Sequence, residues 1–128
     1  MANPTLVDTD ILIDAGRGVE KAVACLNELK SNSMPTISVI SQMELMVGCR
    51  NSSEMQLLST FLAQFQVIPL EASTSTAAVE LMRMYRLSHG LLIADALIAA
   101  TAVVSECPLI SKNQRDYKFI EGLNLLPY

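Results

Sequence analysis

Thr5-Leu6-Val7-Asp8-Thr9-Asp10-Ile11-Leu12 is the stretch that decides the fold. Three β-prone residues run straight into an acid. Apolar positions at Ile11, Leu12 and Ala15 then take up helical spacing before Gly16 and Gly18 interrupt it. A short apolar strand feeding a helix, with an aspartate at the junction, is the first half of a β-α unit.

The same alternation recurs outward from there. Residues 19–29 place Val19, Ala22, Val23, Leu26 and Leu29 on one helical face, and 31–35 read as a turn. Thr36-Ile37-Ser38 is a second strand, followed by a helix over 40–47 that Gly48 stops. Ser52-Ser53 cap a helix to about Gln64, and 66–70 form a third strand. Ser73-Thr74-Ser75 cap a helix over 76–87 that His89-Gly90 ends. A buried helix over 92–104 leads to a fourth strand at 108–111. A helical turn over 114–119 and a last strand within 123–126 complete the chain. Short apolar strands alternating with helices predict an α/β fold with a mostly parallel central sheet covered on both faces.

The 128 residues fit a single domain over 1–128, and 51% hydrophobic residues suffice for its core. Aromatics are 5% and Trp is absent, so that core is aliphatic. No repeat or low-complexity tract appears. Met-Ala-Asn-Pro-Thr has no basic charge ahead of an apolar run, which argues against a signal peptide. The apolar stretch 91–104 is broken by Asp95 and falls short of the roughly 20 residues of a membrane span. A soluble, cytoplasmic protein is expected. Cys25, Cys49 and Cys107 match no zinc spacing and read as reduced, mostly buried thiols. The net charge is −4. With four acids set aside for a site, the remaining acids and the bases balance, which excludes a broad basic surface as the source of any nucleic-acid affinity.

Four acids stand out: Asp8, Glu44, Asp95 and Asp116. Each has an ordinary use as well. Asp8 comes directly off the first strand, where it or Asp10 or Thr9 would also cap the next helix. Glu44 lies in the largely apolar 40–47 helix, read as well buried, where an inward carboxylate needs a metal, a base or a proton. Asp95 is the sole polar residue in Leu91-Leu92-Ile93-Ala94-Asp95-Ala96-Leu97-Ile98-Ala99-Ala100. Its alternative is a cap for a helix starting at Ala96. Asp116 follows the fourth strand and alone would read as surface. Sites in such folds form at the carboxyl ends of strands. Four carboxylates meeting there repel one another unless a divalent cation joins them, and all-oxygen ligands favour Mg²⁺ or Mn²⁺. Phosphodiester hydrolysis is the chemistry such ions support. His89 is the only histidine, so two-histidine ribonuclease chemistry is excluded. No serine elbow, P-loop or dinucleotide fingerprint occurs.

Four segments together resemble the PIN domain, and within it the VapC-type toxins of bacterial toxin–antitoxin pairs. They are Leu6-Val7-Asp8-Thr9-Asp10, Ser41-Gln42-Met43-Glu44-Leu45, His89-Gly90 through Asp95-Ala96-Leu97-Ile98-Ala99-Ala100, and Leu109-Ile110-Ser111-Lys112-Asn113-Gln114-Arg115-Asp116. The resemblance covers nearly the whole chain. It departs at Ser111, where the family often has Thr, and at Ala94, where many relatives have Pro. It implies a PIN-like three-layer fold, Mg²⁺-dependent endoribonuclease activity by metal-activated water, a homodimer, and an antitoxin that blocks the cleft. Mn²⁺ is expected to substitute. Asp8 and Asp95 would hold the main ion, and Glu44 and Asp116 would complete the site. Ser111 and Asn113 would stand behind these ligands or against substrate, with Lys112, Arg115 and Arg86 near phosphate. Two rivals come from other classes. A haloacid-dehalogenase-like phosphohydrolase also opens on strand-Asp-x-Asp, although no later Gly-Asp-x-x-x-Asp run follows. A non-catalytic receiver module would need a phospho-acceptor Asp where this chain has Ser38 or Leu70. A PIN domain that has lost activity is a third alternative, against which the intact acids argue.

Overall fold

The computed structural model describes residues 3–128. The first two residues, part of the stretch read against a signal peptide, lie outside the described residues. The elements run β1 (Pro4–Val7), α1 (Thr9–Gly16), α2 (Glu20–Asn32), β2 (Met34–Ser38), α3 (Val39–Val47) and α4 (Ser52–Leu62). They continue with β3 (Gln66–Ile68), α5 (Ala72–His89), α6 (Ile93–Val104), β4 (Leu109–Ile110), a 3-10 turn (Gln114–Asp116) and β5 (Leu125–Leu126). The sheet order is β3-β2-β1-β4-β5 and every pairing is parallel. The expected mostly parallel sheet is therefore wholly parallel.

Period-two alternation builds the three layers. Leu6 pairs with Leu109 and Val7 with Ile110. Leu6 and Leu109 face a core made with α5 and α6, including Ala78, Tyr85, Ala96, Ala99 and Ala100. Val7, Ile37 and Ile110 face the opposite core with Ile11, Leu12, Ala22, Leu26 and Leu62. Ala96, Ala99, Ala100 and Ala102 of α6 are almost fully buried, so this helix lies close against its neighbours. Among the described residues no helix is long and apolar enough to cross a membrane.

Several local expectations are corrected. Residues 31–35 are not a turn: α2 continues to Asn32 and β2 starts at Met34. Met34 donates its N–H to Asn3 O at 3.0 Å. Alternation then turns the side where Pro35 lacks an N–H towards β3, whose pairing begins only at Thr36. Asn51, rather than Ser52 or Ser53, caps α4 by accepting from Glu54 N at 2.9 Å. A capping box between Glu71 and Thr74 starts α5 at Ala72. Of the cysteines only Cys107 is buried; Cys25 and Cys49 are half-buried.

The helix α3 is less enclosed than its composition suggested. Ile40 and Ser41 are buried, whereas Met43, Met46 and Val47 are exposed. An apolar residue reads the same in sequence whether it faces a core or the outside.

Candidate active site

The chain adds β2 and β3 on one side of β1, then crosses back to place β4 on the other. The switch point between β1 and β4 is where open parallel sheets leave a crevice at their carboxyl end. Asp8 stands there at the N-cap of α1 and is 5% exposed. Its backbone N–H donates to Ile110 O at 3.0 Å. Its Oδ1 accepts from Thr9 N at 2.9 Å and its Oδ2 from Ser111 Oγ at 2.7 Å. Ser111 is fully buried immediately after β4. The serine in place of the family's frequent threonine thus retains the hydroxyl contact. Burial, followed by repulsion from Asp10, pushes the Asp8 carboxyl up to about 7 despite the Ser111 and Thr9 bonds.

Asp95 occupies the first turn of α6 and is not its cap; Leu92 takes that position. Its Oδ1 accepts from the Tyr117 hydroxyl at 3.2 Å. Burial raises the Asp95 carboxyl, the Tyr117 bond opposes this, and the charges of Asp116, Glu44 and Asp10 raise it further. Tyr117 is almost wholly buried. Burial and the adjacent Asp8 and Asp95 charges push its phenol up, so it stays a donor. Glu44, exposed on α3, accepts from Thr9 Oγ1 at 2.6 Å, and that hydroxyl also lies 2.8 Å from the buried Ser41 Oγ. Asp116 ends the 3-10 turn, is exposed, and shares a cleft wall with Asp95.

All four predicted acids therefore come to one end of the sheet, and several feel one another's charge. Among the described residues none of the four has a salt-bridge partner. As the side chains stand, no group of three or more His, Cys, Asp or Glu among the described residues is placed to enclose an ion. The donor chemistry still fits a hard divalent cation: every donor is oxygen, the charge is uncompensated, and Asp8 ionises reluctantly without a cation. A buried carboxylate in that condition is stabilised by a positive ion.

Sequence reasoning missed two participants. Asp10 reads from the sequence as a helix cap, or as the general acid of the dehalogenase-like alternative, and not as one of the four site acids. Its Oδ1 does accept from Ile11 N at 2.7 Å, but its Oδ2 accepts from Asn113 N at 3.1 Å and lies 3.3 Å from Ser111 Oγ. It thus ties the loop after β4 to α1. Tyr117 is the second, and its place directly after Asp116 was its only signal. Lys112 is not directed at the acids of the cleft; its Nζ bonds Asp14 Oδ2 at 2.9 Å.

The family model described as PIN domain matches residues 5–121. The Ribonuclease VapC10 of Mycobacterium tuberculosis is 37% identical over 119 residues, covering 92% of this chain and 89% of that protein. Among solved structures, VapBC2 from Rickettsia felis bound to a promoter DNA fragment matches with a TM-score of 0.83 and 26% identity, covering 98% of both chains. A toxin–antitoxin complex from Klebsiella pneumoniae matches with a TM-score of 0.80 and 31% identity, covering 96% of both chains. The chain belongs to the PIN-domain family, among its VapC-type members. The receiver alternative falls on topology as well, because that fold orders its strands 2-1-3-4-5.

Proposed function

We propose that this chain is a metal-dependent endoribonuclease toxin that hydrolyses RNA phosphodiester bonds and is inhibited by a cognate antitoxin. The observation that carries this reading is Asp8: a buried carboxylate raised to about 7 at the sheet's switch point, surrounded by acids and without a base. Support also comes from the relative named as a ribonuclease and from the toxin–antitoxin complexes that share the fold. Mg²⁺ is the proposed ion, with Mn²⁺ able to replace it.

Asp8, Glu44, Asp95 and Asp116 form the catalytic and metal-binding set. When bound, the ion polarises the phosphate and lowers the pKa of an attacking water. Asp8 is oriented by Thr9 N and Ser111 Oγ, and Asp95 by the Tyr117 hydroxyl. Thr9 Oγ1 holds Glu44 through Oε1, and one of Glu44 and Asp116 would orient the attacking water. Asp116 lines the cleft beside Asp95. Asn113 anchors the loop that carries Ser111 through its bond to Asp10. The chain acts as a single nuclease domain, as a homodimer in the cytoplasm.

Purified protein freed of any partner should cleave structured RNA with Mg²⁺ or Mn²⁺ and stop when EDTA is added. Asp8→Asn and Asp95→Asn should abolish cleavage while circular dichroism shows an intact fold. If both variants cut as well as the parent, the site assignment is wrong.

A further inference from the structure

The acids explain how a phosphodiester is cut but not how an acidic protein holds the strand beside the cut. Of the bases expected near phosphate, two are already committed. Lys112 bonds Asp14, and Arg86 Nη1 donates to Gly90 O at 3.0 Å and Leu91 O at 3.2 Å. Arg115 and Lys118 have no ion pair among the described residues. Both line a cleft of about 360 Å³ that shares Asp95 and Asp116 with the acidic centre. That volume lies in the roughly 300–1,000 Å³ range of small-molecule sites.

The far side of this cleft carries a flat aromatic platform. The His89 ring stacks on Phe119 with centroids 4.1 Å apart and planes 10° from parallel. Tyr85 meets both rings edge-on, at 5.9 Å and 5.2 Å. Ser88 Oγ lies 2.8 Å from His89 Nδ1 and fixes the ring's rotation. His89 is nonetheless exposed and lines the cleft, and stacking on Phe119 occupies only one of its two faces. A held ring loses little freedom when something stacks on it.

We propose that this cleft is a nucleotide subsite of the nuclease, taking the residue of a single-stranded RNA segment next to the bond that is cut. Its base stacks on His89, and its phosphate binds Arg115 and Lys118. The proposal rests on the ribonuclease reading above. A duplexed base has both faces covered, so the platform selects an unpaired one. The two cations offset the repulsion that Asp95 and Asp116 exert on a phosphate entering the same cleft.

The test uses the Asp8→Asn protein with Mg²⁺, so that RNA is bound but not cut. The probes are a fluorescein-labelled random 12-nucleotide RNA and an abasic ribose-phosphate oligomer of equal length, read by fluorescence anisotropy. Adding His89→Ala should weaken RNA binding about tenfold and leave the abasic oligomer unchanged, while His89→Phe should restore RNA binding. Arg115→Ala with Lys118→Ala should weaken both probes. It should also reduce the salt slope of log affinity by about 0.7, the amount for the one single-strand phosphate that the two cations bind. Equal RNA binding by the His89→Ala protein and its parent, or an unchanged salt slope, overturns the subsite. If the parent binds no RNA while the wild type cleaves it, the subsite alone fails. If the wild type cleaves no RNA either, the ribonuclease reading fails with it.

Discussion

Asp8→Asn replaces a carboxylate with an amide of the same shape at a position only 5% exposed. The amide oxygen still accepts from Thr9 N. The amide nitrogen donates to Ser111 Oγ, whose proton then turns towards Asp10 Oδ2, 3.3 Å away. What changes is the charge. The Asp8 carboxyl sits at about 7 in the fold, against 3.8 ordinarily. Between those values the folded chain retains a proton that the unfolded chain has released. The proton's contribution is complete below about pH 4 and is lost as pH rises through 7. At about 1.4 kcal/mol per pH unit, the loss reaches about 4 kcal/mol. The amide never ionises, so metal-free Asp8→Asn should gain roughly 2–4 kcal/mol over the parent at pH 8 and almost nothing at pH 4. Urea unfolding in EDTA across this range measures the difference between the two curves. With Mg²⁺ added at pH 8, the parent should be stabilised more than the variant, because mass action favours whichever fold binds the ion. A variant less stable than the parent at pH 8 in EDTA, or parallel curves throughout, would refute the reasoning.

Two further outcomes are expected. Ser111→Ala removes the hydroxyl from Asp8 and should cost roughly 10–100-fold in metal affinity or cleavage, whereas Ser111→Thr should retain most of both; manganese titration of the metal-free protein measures the first. Glu106 follows the C-cap of α6 at φ 54°, with its own N–H on Val103 O and that of Cys107 on Ala102 O, a geometry that glycine adopts without strain. Glu106→Gly should stabilise the fold by about 0.5–1 kcal/mol, and a fall in the melting temperature would contradict this.

Much of the layout was legible because parallel strands buried on both faces leave compact apolar runs such as Thr5-Leu6-Val7 and Leu109-Ile110. The acids were legible because each lies at or just beyond a strand end, or breaks an apolar helix as Asp95 does. What stayed hidden is long-range. Asp10 looks like a local cap until Asn113, about a hundred positions later, is folded against it. The buried hydroxyl of Ser41 gains its role only when Thr9 stands beside it. The early start of α5 was missed for a local reason: a glutamate at the N-cap is an uncommon opening, and Thr74 was read as a cap rather than as the capping-box partner of Glu71. The placement of β4 beside β1 cannot be read from either strand, since both are equally apolar.

That placement has a consequence for how the protein is made. β1 is synthesised before the other four strands of the sheet yet lies in its middle, and its second neighbour is not translated until residues 109–110. A nascent chain that has reached residue 108 already carries Asp8, Glu44 and Asp95. It lacks Ser111, Tyr117 and the strand that encloses Asp8. Pairing across so long a sequence separation also comes late in folding. The acidic centre therefore cannot close on a chain that has reached only residue 108; it waits for β4 and the segment that follows it.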